Sequence, residues 1–270
     1  MRFHPNSIGL GISGDYLAGL PNLATTGQVW YVDSASGADD VSPRGLSPEY
    51  PLATLDQAVT NSATGDIVVL KSTHDETLTA QITMTKRLTI VGLGSSSGVP
   101  LACLTNNVAG NNMLEYSSAP WEIRNVRFKE DGASATLAKL KLGTDCKVDG
   151  CLFEVGDDDP QAYAAVEMGT SSAIHIVDST FRSVGTDATT PPGPLITSLV
   201  VTDTLIQRCT FSAGITGFYG NSGYGVYLNA TMVNLVLEDL TLQGCDIYVA
   251  SASTGRYNVV SSTGSARVEW

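Results

Sequence analysis

The chain has 270 residues, and its 15 basic and 27 acidic side chains give a formal net charge of −12. This acidic balance leaves no basic stripe to neutralise phosphates, so the sequence argues against a nucleic-acid partner. No stretch approaches the ~18 consecutive apolar residues of a membrane-spanning helix. The first residues also lack the continuous apolar segment of a secretory signal. We therefore expect a protein that folds in a reducing cytoplasm and has no membrane partner.

Residues 1–28 do not fit the pattern of the rest of the chain. Such a segment buries little surface by itself, so it is either a flexible tail or an arm that docks on something else. Its apolar residues are evenly spread, which favours an anchoring arm. They are Ile8, Leu10, Ile12, Tyr16, Leu17, Leu20 and Leu23.

A different pattern begins at residue 29 and runs to residue 94. VWYV (29–32) predicts a strand, and residues 54–62 predict one short helix, N-capped by Thr54. The apolar stripe of this helix is Leu55, Ala58 and Val59. We expect the helix to cover the open end of the fold, because terminal units of repeat proteins are usually atypical. The first turns are then DIVVLK (66–71), ETLTAQITM (76–84) and RLTIVGLG (87–94).

From residue 95 to residue 270 the chain repeats one eight-residue pattern. Its copies are WEIRNVRF (121–128), CKVDGCLF (146–153), IHIVDSTF (174–181), TLIQRCTF (204–211) and LVLEDLTL (235–242). Their closing residues are 25, 28, 30 and 31 positions apart, as in a solenoid with a constant core and variable loops. Apolar or small residues recur 7, 5, 2 and 0 positions before the end of each copy. This spacing predicts two strands of period 2 with one extra residue between them.

The extra residue should bend the chain. The slot three residues before each closing position holds Asn125, Gly150, Asp178, Arg208 and Asp239, mostly types that tolerate a left-handed backbone. A third strand precedes each pair and carries Leu114/Tyr116, Leu140/Leu142, Val166/Met168, Leu199/Val201 and Val226/Leu228. Closing strands are expected at residues 257–260 and 266–270, with Trp270 over the far end.

Three strands per turn predict an all-β fold, a single-stranded right-handed parallel β-helix with a short capping helix and an extended N-terminal arm. An antiparallel sandwich is the alternative, but its turn signals recur every 8–12 residues without register between distant repeats. A helical solenoid is excluded because the apolar spacing is 2 rather than 3.6.

The cysteines at positions 103, 146, 151, 209 and 245 do not form a disulfide framework. Cys151 and Cys209 share one inward column but lie two turns apart, which is too far for a bond. Without a CxxC pair or a His/Cys cluster, we expect buried free thiols and no metal site.

The segments SPEYPLATLDQAV (47–59) and ETLTAQITMTKRLTIVGLG (76–94) resemble the opening of pectate-lyase-like right-handed β-helix proteins. They resemble in particular a group of phage and prophage virion proteins. The resemblance is close over residues 29–94. In the later turns it is limited to the repeating pattern of apolar residues. It implies a homotrimer standing on a capsid or tail, with its N-terminal arm bound to other virion proteins.

Acidic residues supply the candidate sites. Glu154 and the acidic run at 157–159 form a predicted loop, and carboxylates of this kind bind Ca²⁺ in pectate lyases. We find no strand-borne Asp/Asp/Arg set aligned across turns, so we expect a solvated loop, although calcium binding stays open. Asp149, Asp178 and Asp239 occupy corner or near-corner slots, where a pair of carboxylates could lie the ~5–9.5 Å apart that glycoside hydrolysis needs. Corners favour Asp for backbone reasons alone, so we assign no catalytic residue.

The other candidates are histidines and aromatic residues. His74, Asp75 and Glu76 cannot converge on one atom if they alternate along a strand, and a similar His-x-Glu in the resembled family implies a structural role. His4 and His175 are isolated. The glycine-rich segment 214–227 carries Phe218, Tyr219, Tyr224 and Tyr227, which suit a subunit interface or a carbohydrate contact.

We therefore expect a non-enzymatic structural protein of a phage particle, without cofactor or metal. It would be a homotrimeric capsid decoration or head spike, assembled in the host cytoplasm and anchored to the major capsid protein or other virion proteins through residues 1–28. A host surface glycan is a further candidate partner. The competing hypothesis is a tail-associated spike with polysaccharide-binding or depolymerase activity.

Overall fold

The structure is a computed structural model that describes residues 27–39, 44–108, 112–130, 139–155, 165–183, 196–198, 200–212, 224–228, 231–249, 253–263 and 268–269. The predicted arm therefore lies outside the described residues, apart from residues 27 and 28. The first half of the chain forms β1 (Val29–Val32), α1 (Leu55–Asn61), β2 (Ile67–Leu70), β3 (Asp75–Leu78), β4 (Ile82–Met84), β5 (Leu88–Gly92), β6 (Ser95–Ser96), β7 (Val99–Pro100), β8 (Cys103–Asn106), β9 (Leu114–Tyr116), β10 (Trp121–Arg124) and β11 (Arg127–Glu130).

In the second half, the described residues add strands only. They are β12 (Leu140–Leu142), β13 (Lys147–Asp149), β14 (Leu152–Val155), β15 (Val166–Met168), β16 (Ser171–Ser172), β17 (His175–Val177), β18 (Thr180–Ser183), β19 (Ile196–Ser198), β20 (Val201–Thr202), β21 (Leu205–Gln207), β22 (Thr210–Ser212), β23 (Tyr224–Leu228), β24 (Leu235–Gln243), β25 (Asp246–Val249), β26 (Gly255–Thr263) and β27 (Val268–Glu269).

Successive turns stack these strands into three parallel ladders. Face 1 runs β1-β2-β5-β10-β13-β17-β21-β24, and face 2 runs β3-β8-β11-β14-β18-β22-β24. Face 3 runs β4-β9-β12-β15-β19-β23-β25-β27. Strand β24 passes the corner between faces 1 and 2 without a break, and β26 pairs along it. The predicted parallel β-solenoid with one short helix is confirmed. Its right-handed sense stays a prediction, which the general preference for right-handed crossovers supports.

Like side chains stack along the inside of the tube. Phe128, Phe153, Phe181 and Phe211 are fully buried, and consecutive ring centroids lie 4.8, 4.7 and 5.0 Å apart with the rings nearly parallel. These distances match the spacing of neighbouring strands, about 4.8 Å, because each ring sits on the same slot of the next turn. Leu242 continues the column on the following turn. The predicted closing column is confirmed.

The predicted bend between the paired strands is also confirmed. Asn125, Gly150, Asp178, Arg208 and Asp239 all have left-handed backbone, with φ between 50° and 61°. The backbone N–H of each of the first four donates to a carbonyl of the next turn, at 3.0 or 3.1 Å. The corner is therefore part of the hydrogen-bonded stack rather than an interruption of it.

A second left-handed corner was not foreseen. It lies eight residues before the last four closing positions and holds Asp145, Ala173, Asp203 and Asn234, with φ between 53° and 60°. The N–H groups of the first three also donate to the next turn. Three of the four are Asp or Asn, so the residue types at this slot could have indicated a left-handed corner.

One predicted strand has the wrong register. Ile196–Ser198, rather than the pair Leu199/Val201, continues face 3 by pairing with Val166–Met168. Val201 instead pairs with Ser171 in a small two-stranded ladder, and Leu199 lies outside the described residues. The stretch ITSLVV (196–201) offers apolar residues in more than one alternating frame, so periodicity alone could not choose between them.

The helix covers the N-terminal end as predicted. Thr54 is its N-cap, and Leu55, Ala58 and Val59 are buried against the core. The backbone N–H of Leu55 donates to Oε2 of Glu76 on β3 at 2.9 Å, which fixes the start of the helix to the first turns. Seven residues are too few for a stable isolated helix, so this packing and capping hold it in place. Closing strands occur at the far end as β26 and β27, whereas Trp270 lies outside the described residues.

Candidate functional site

The outer surface of face 2 carries two ion pairs that share one buried carboxylate, Glu154. Oε2 of Glu154 accepts from Nε of Arg127 at 2.6 Å, and Oε1 accepts from Nε of Arg182 at 3.0 Å. The three residues lie on consecutive strands β11, β14 and β18, so the carboxylate bridges two neighbouring turns. Glu154 is only 5% exposed, which corrects the expectation of a solvated loop at this residue. Residues 157–159 lie outside the described residues.

The environment of Glu154 favours a structural role. Burial alone would raise the pKa of its carboxyl group, but the hydrogen bonds from Arg127 and Arg182 outweigh burial and hold the pKa below the usual range. A general acid needs the opposite shift, because it must carry a proton near neutral pH. Both oxygens already accept from guanidinium groups, so calcium coordination would require breaking these charge-assisted bonds.

A second ion pair lies at the corner between faces 1 and 2. Nε and Nη2 of Arg208 donate to Oδ1 and Oδ2 of Asp178 at 2.6 and 2.7 Å. This bidentate pair lowers the pKa of Asp178. Asp239 occupies the same corner slot one turn further, and its charge contributes to the raised pKa of Arg208, after the hydrogen bond to Asp178. Asp178, Arg208 and Asp239 therefore form an aligned column at the corner between the two faces.

The strands of face 1 carry similar outward pairs. Nζ of Lys147 lies 3.0 Å from Oδ2 of Asp149 and 3.2 Å from Oε1 of Glu122. Arg124 also pairs with Glu122 at 2.8 Å. Asp149 and Asp178, two of the three carboxylates considered for hydrolysis, thus each have a cationic partner. Asp178 is paired with a neighbouring turn and Asp149 within its own strand, and in both cases the charge is neutralised, which is a structural use of these residues.

His74 and Glu76 lie together at the N-terminal end. His74 is fully buried, and its Nδ1 accepts from the backbone N–H of Ser34 at 3.0 Å. Nε2 of His74 lies 3.1 Å from Oε2 of Glu76, but not in the geometry of a hydrogen bond. Asp75 points to the opposite face and is exposed. The geometry agrees with the implied structural role, because Glu76 accepts from the start of the helix and lies beside the buried histidine.

Two buried aspartates reinforce the same end and were not singled out from the sequence. Asp66 accepts from the backbone N–H groups of Gln28 and Ala63 at 2.7 and 2.8 Å and from Nε1 of Trp30 at 2.9 Å. Asp33 accepts from Ser36 and Thr73 and lies 3.1 Å from Nζ of Lys71. In both, burial would raise the pKa, but the hydrogen bonds lower it below the usual range. In the sequence, Asp33 directly follows the strand residue Val32, and Asp66 follows Gly65 at the start of the next strand. These positions at strand ends could have identified both aspartates as candidates.

Aromatic side chains stack on the outer surface of face 3. The rings of Tyr227 on β23 and Tyr248 on β25 lie 5.0 Å apart and are inclined by 25°. Both are partly exposed, and the strands pair with Tyr227 opposite Tyr248. Phe218 and Tyr219 lie outside the described residues, so the predicted cluster is described only for its last tyrosine. This pair is an amphipathic surface suited to stacking on a sugar ring or another side chain.

All five cysteines are buried and free, as predicted. Burial raises the pKa of Cys151 and of Cys209 to about 12. Each thiol lies near the carbonyl oxygen two residues earlier, at 3.5 Å for Cys151 and 3.3 Å for Cys209. Ser179, in the same column between them, donates to the equivalent carbonyl at 2.8 Å. In these three turns the slot therefore holds a small donor that satisfies a carbonyl beside the left-handed corner.

No group of three His, Cys, Asp or Glu side chains in the described part of the chain could hold a metal ion. His175 is exposed at its outward slot, whereas His4 lies outside the described residues. Within the residues that the structure describes, no helix is long and apolar enough to cross a membrane. Comparison with known proteins finds no family model that matches the chain and no curated protein that matches it.

Proposed function

We propose that this protein is a structural component of a bacteriophage particle, a homotrimeric capsid decoration or head-spike protein anchored by residues 1–28. The observation that carries the proposal is the continuous core of stacked side chains within three parallel ladders. Each turn is hydrogen-bonded to the next, so the solenoid resists bending while its loops are free to vary. The resemblance of residues 29–94 to virion β-helix proteins supplies the biological setting.

The outer carboxylates support a scaffold more than a hydrolase. Glu154, Asp149 and Asp178 each serve an ion pair, two of them between neighbouring turns. Paired charges on stacked strands relieve the repulsion that like charges would create in a column. A catalytic pair would need one carboxyl group with a raised pKa, and Glu154 and Asp178 have lowered pKa values.

The test is to locate the protein in particles of the phage that encodes it. Heads and tails are separated on a density gradient, and each fraction is analysed by mass spectrometry and by immunogold labelling. We expect the protein in the head fraction. Its absence from purified particles would reject the virion role, and its confinement to tails would reject the head position. Sedimentation equilibrium should give three times the 28.3 kDa mass of the chain.

A tail-associated, polysaccharide-binding spike is the second candidate, and the stacked pair Tyr227–Tyr248 favours it. If this pair binds sugar, Tyr248→Ala should weaken binding to host capsular polysaccharide at least about fivefold, if sugar stacking is comparable to the stacking of a nucleic-acid base on one aromatic ring, which contributes on the order of 1–3 kcal/mol. Tyr50 lies outside this pair and is 65% exposed, so Tyr50→Ala is the matched control. Cleavage of the polysaccharide by the wild-type protein would instead support a depolymerase.

A further inference from the structure

The later turns of the solenoid carry an exposed apolar patch on their outer surface. Of the described residues, four large apolar side chains are exposed, and two of them, Val200 at 52% and Val233 at 41%, belong to this patch. Leu205 and Val236 are partly exposed and complete it. Leu205 pairs with Val236 across neighbouring turns of face 1, and Val233 pairs with Thr202 just before the second left-handed corner. We call Val200, Leu205, Val233 and Val236 the distal apolar patch.

Earlier turns carry charge in the same outward column of face 1. Glu122 and Lys147 occupy it on β10 and β13 and form an ion pair with each other. His175 follows on β17, and the column then becomes apolar at Leu205 and Val236. Single exposed valines need no explanation, but apolar side chains that adjoin on two successive turns favour an interaction surface.

Charge favours a second copy of the chain as the occupant of this patch. The chain has a net charge of −12, so two copies repel each other wherever acidic surfaces meet. No member of the distal apolar patch is ionised, and exposed charges of opposite sign flank it, Asp203 at the corner and Arg256 on the turn after Val236. The carboxylate of Asp203 accepts from the uncharged amide of Asn234 at 2.8 Å. An apolar centre with one charge of each sign at its rim is complementary to a copy of itself.

We propose that the distal apolar patch forms the centre of the contact between copies of this chain. This assignment rests on the proposed homotrimer, to which it adds the surface where the copies meet. The contact would join the copies at their later turns, while the ion-paired turns at β10 and β13 stay in water. A stable interface buries about 800 Å² on each partner, more than four side chains supply, so the patch is the apolar centre of a larger contact with a polar rim.

Sedimentation equilibrium of the full chain tests the contact with a matched pair of variants. Val233→Asp places a carboxylate in the patch, and Leu101→Asp places one outside it at a site of nearly equal exposure, 42%. Val233→Asp should weaken association at least about tenfold, because a buried apolar contact at the interface centre is lost and a charge must be desolvated. Leu101→Asp should leave association unchanged. Arg256→Glu should weaken it as well, because the copies then meet with only negative charge at the rim.

Thiol reactivity gives a second measurement, which decides the matter if Val233→Asp fails to fold. Val233→Cys and Leu101→Cys introduce thiols at sites that are equally exposed in the single chain. In the assembled protein, the thiol at position 233 should react with Ellman's reagent at least about tenfold more slowly than the thiol at position 101, because the partner copy covers it. Adding Val236→Asp, which should dissociate the copies, should make the two rates equal. The five native cysteines are buried and do not contribute.

The outcomes separate this contact from the rest of the proposed function. An assembly that survives Val233→Asp, or an assembled protein whose thiol at position 233 reacts as fast as that at position 101, would overturn the patch as the contact and leave the homotrimer standing. A wild-type chain that sediments at 28.3 kDa would overturn both. Neither result depends on where the protein lies in a particle, which fractionation of heads and tails tests separately.

Discussion

Replacing Phe153 by alanine should destabilise the solenoid more than any surface change. Phe153 is fully buried, and its ring stacks on Phe128 at 4.8 Å and on Phe181 at 4.7 Å. Truncating a buried phenylalanine costs about 3–5 kcal/mol, because transfer free energy is lost and a cavity remains. Two ring contacts, each contributing about 0.5–1.5 kcal/mol, place Phe153→Ala in the upper part of that range.

The effect of a Phe→Ala substitution should depend on how many rings the phenylalanine contacts in the column. Among the described residues, Phe211 stacks on only one ring, Phe181 at 5.0 Å, and it faces Leu242 on its other side. Phe211→Ala should therefore cost about 0.5–1.5 kcal/mol less than Phe153→Ala. Tyr50→Ala, at a site that is 65% exposed, is the control and should change the free energy of unfolding by no more than about 0.5 kcal/mol.

Urea denaturation followed by circular dichroism measures these differences. The free energy of unfolding should fall for both phenylalanine variants while the dependence on urea stays unchanged, because the surface exposed on unfolding is nearly the same. Amide hydrogen exchange checks that the turns unfold together, since a solenoid can also lose turns locally. A loss for Phe153→Ala no greater than for Tyr50→Ala would refute the stacked core.

Three further predictions concern charge, backbone and thiols. Glu154→Gln should cost about 1–3 kcal/mol at neutral pH by leaving the guanidinium of Arg127 without its carboxylate. Because the pKa of Glu154 is lowered in the folded state, its contribution is present above the unfolded value of about 4.3 and is lost as the pH falls through the folded pKa. The difference between wild type and variant should therefore narrow in acid, and a constant difference in unfolding scans would contradict this reasoning. Ala173→Asn should stabilise the fold by up to about 1 kcal/mol, because Ala173 has φ 55° and asparagine tolerates this backbone better; a lower melting temperature would argue against the second corner. The thiols of Cys151 and Cys209 should resist iodoacetamide in the native state and react in guanidinium chloride, and rapid native labelling would show that they are not buried.

The inward columns could be predicted because each slot repeats one physical requirement. The same position of each turn holds the phenylalanines from Phe128 to Phe211, and another position holds the left-handed residues from Asn125 to Asp239. Because the pattern repeats, an ambiguous assignment in one turn can be resolved by comparison with the other turns. The helix at Leu55–Asn61 was predicted for a different reason, since Thr54 and the apolar stripe are local signals.

Outward slots and irregular turns were harder to predict. Glu154 was assigned to a loop because its strand is followed by three aspartates, whereas its pairing depends on Arg127 and Arg182 in neighbouring turns. The frame of ITSLVV (196–201) was wrong because only the hydrogen bonds to β15 distinguish between two apolar alternations. Contacts between turns depend on loop lengths, which a single period does not reveal.

Nuclear Overhauser effects between phenylalanine rings test the stacked tube most directly. In a sample labelled only at its six phenylalanines, with assignments from single Phe→Leu variants, cross-peaks should join Phe128 to Phe153, Phe153 to Phe181 and Phe181 to Phe211. No cross-peak should join Phe128 to Phe181, because one ring separates them. Absence of this sequential pattern, or direct contact between alternate rings, would contradict a solenoid with one phenylalanine per turn.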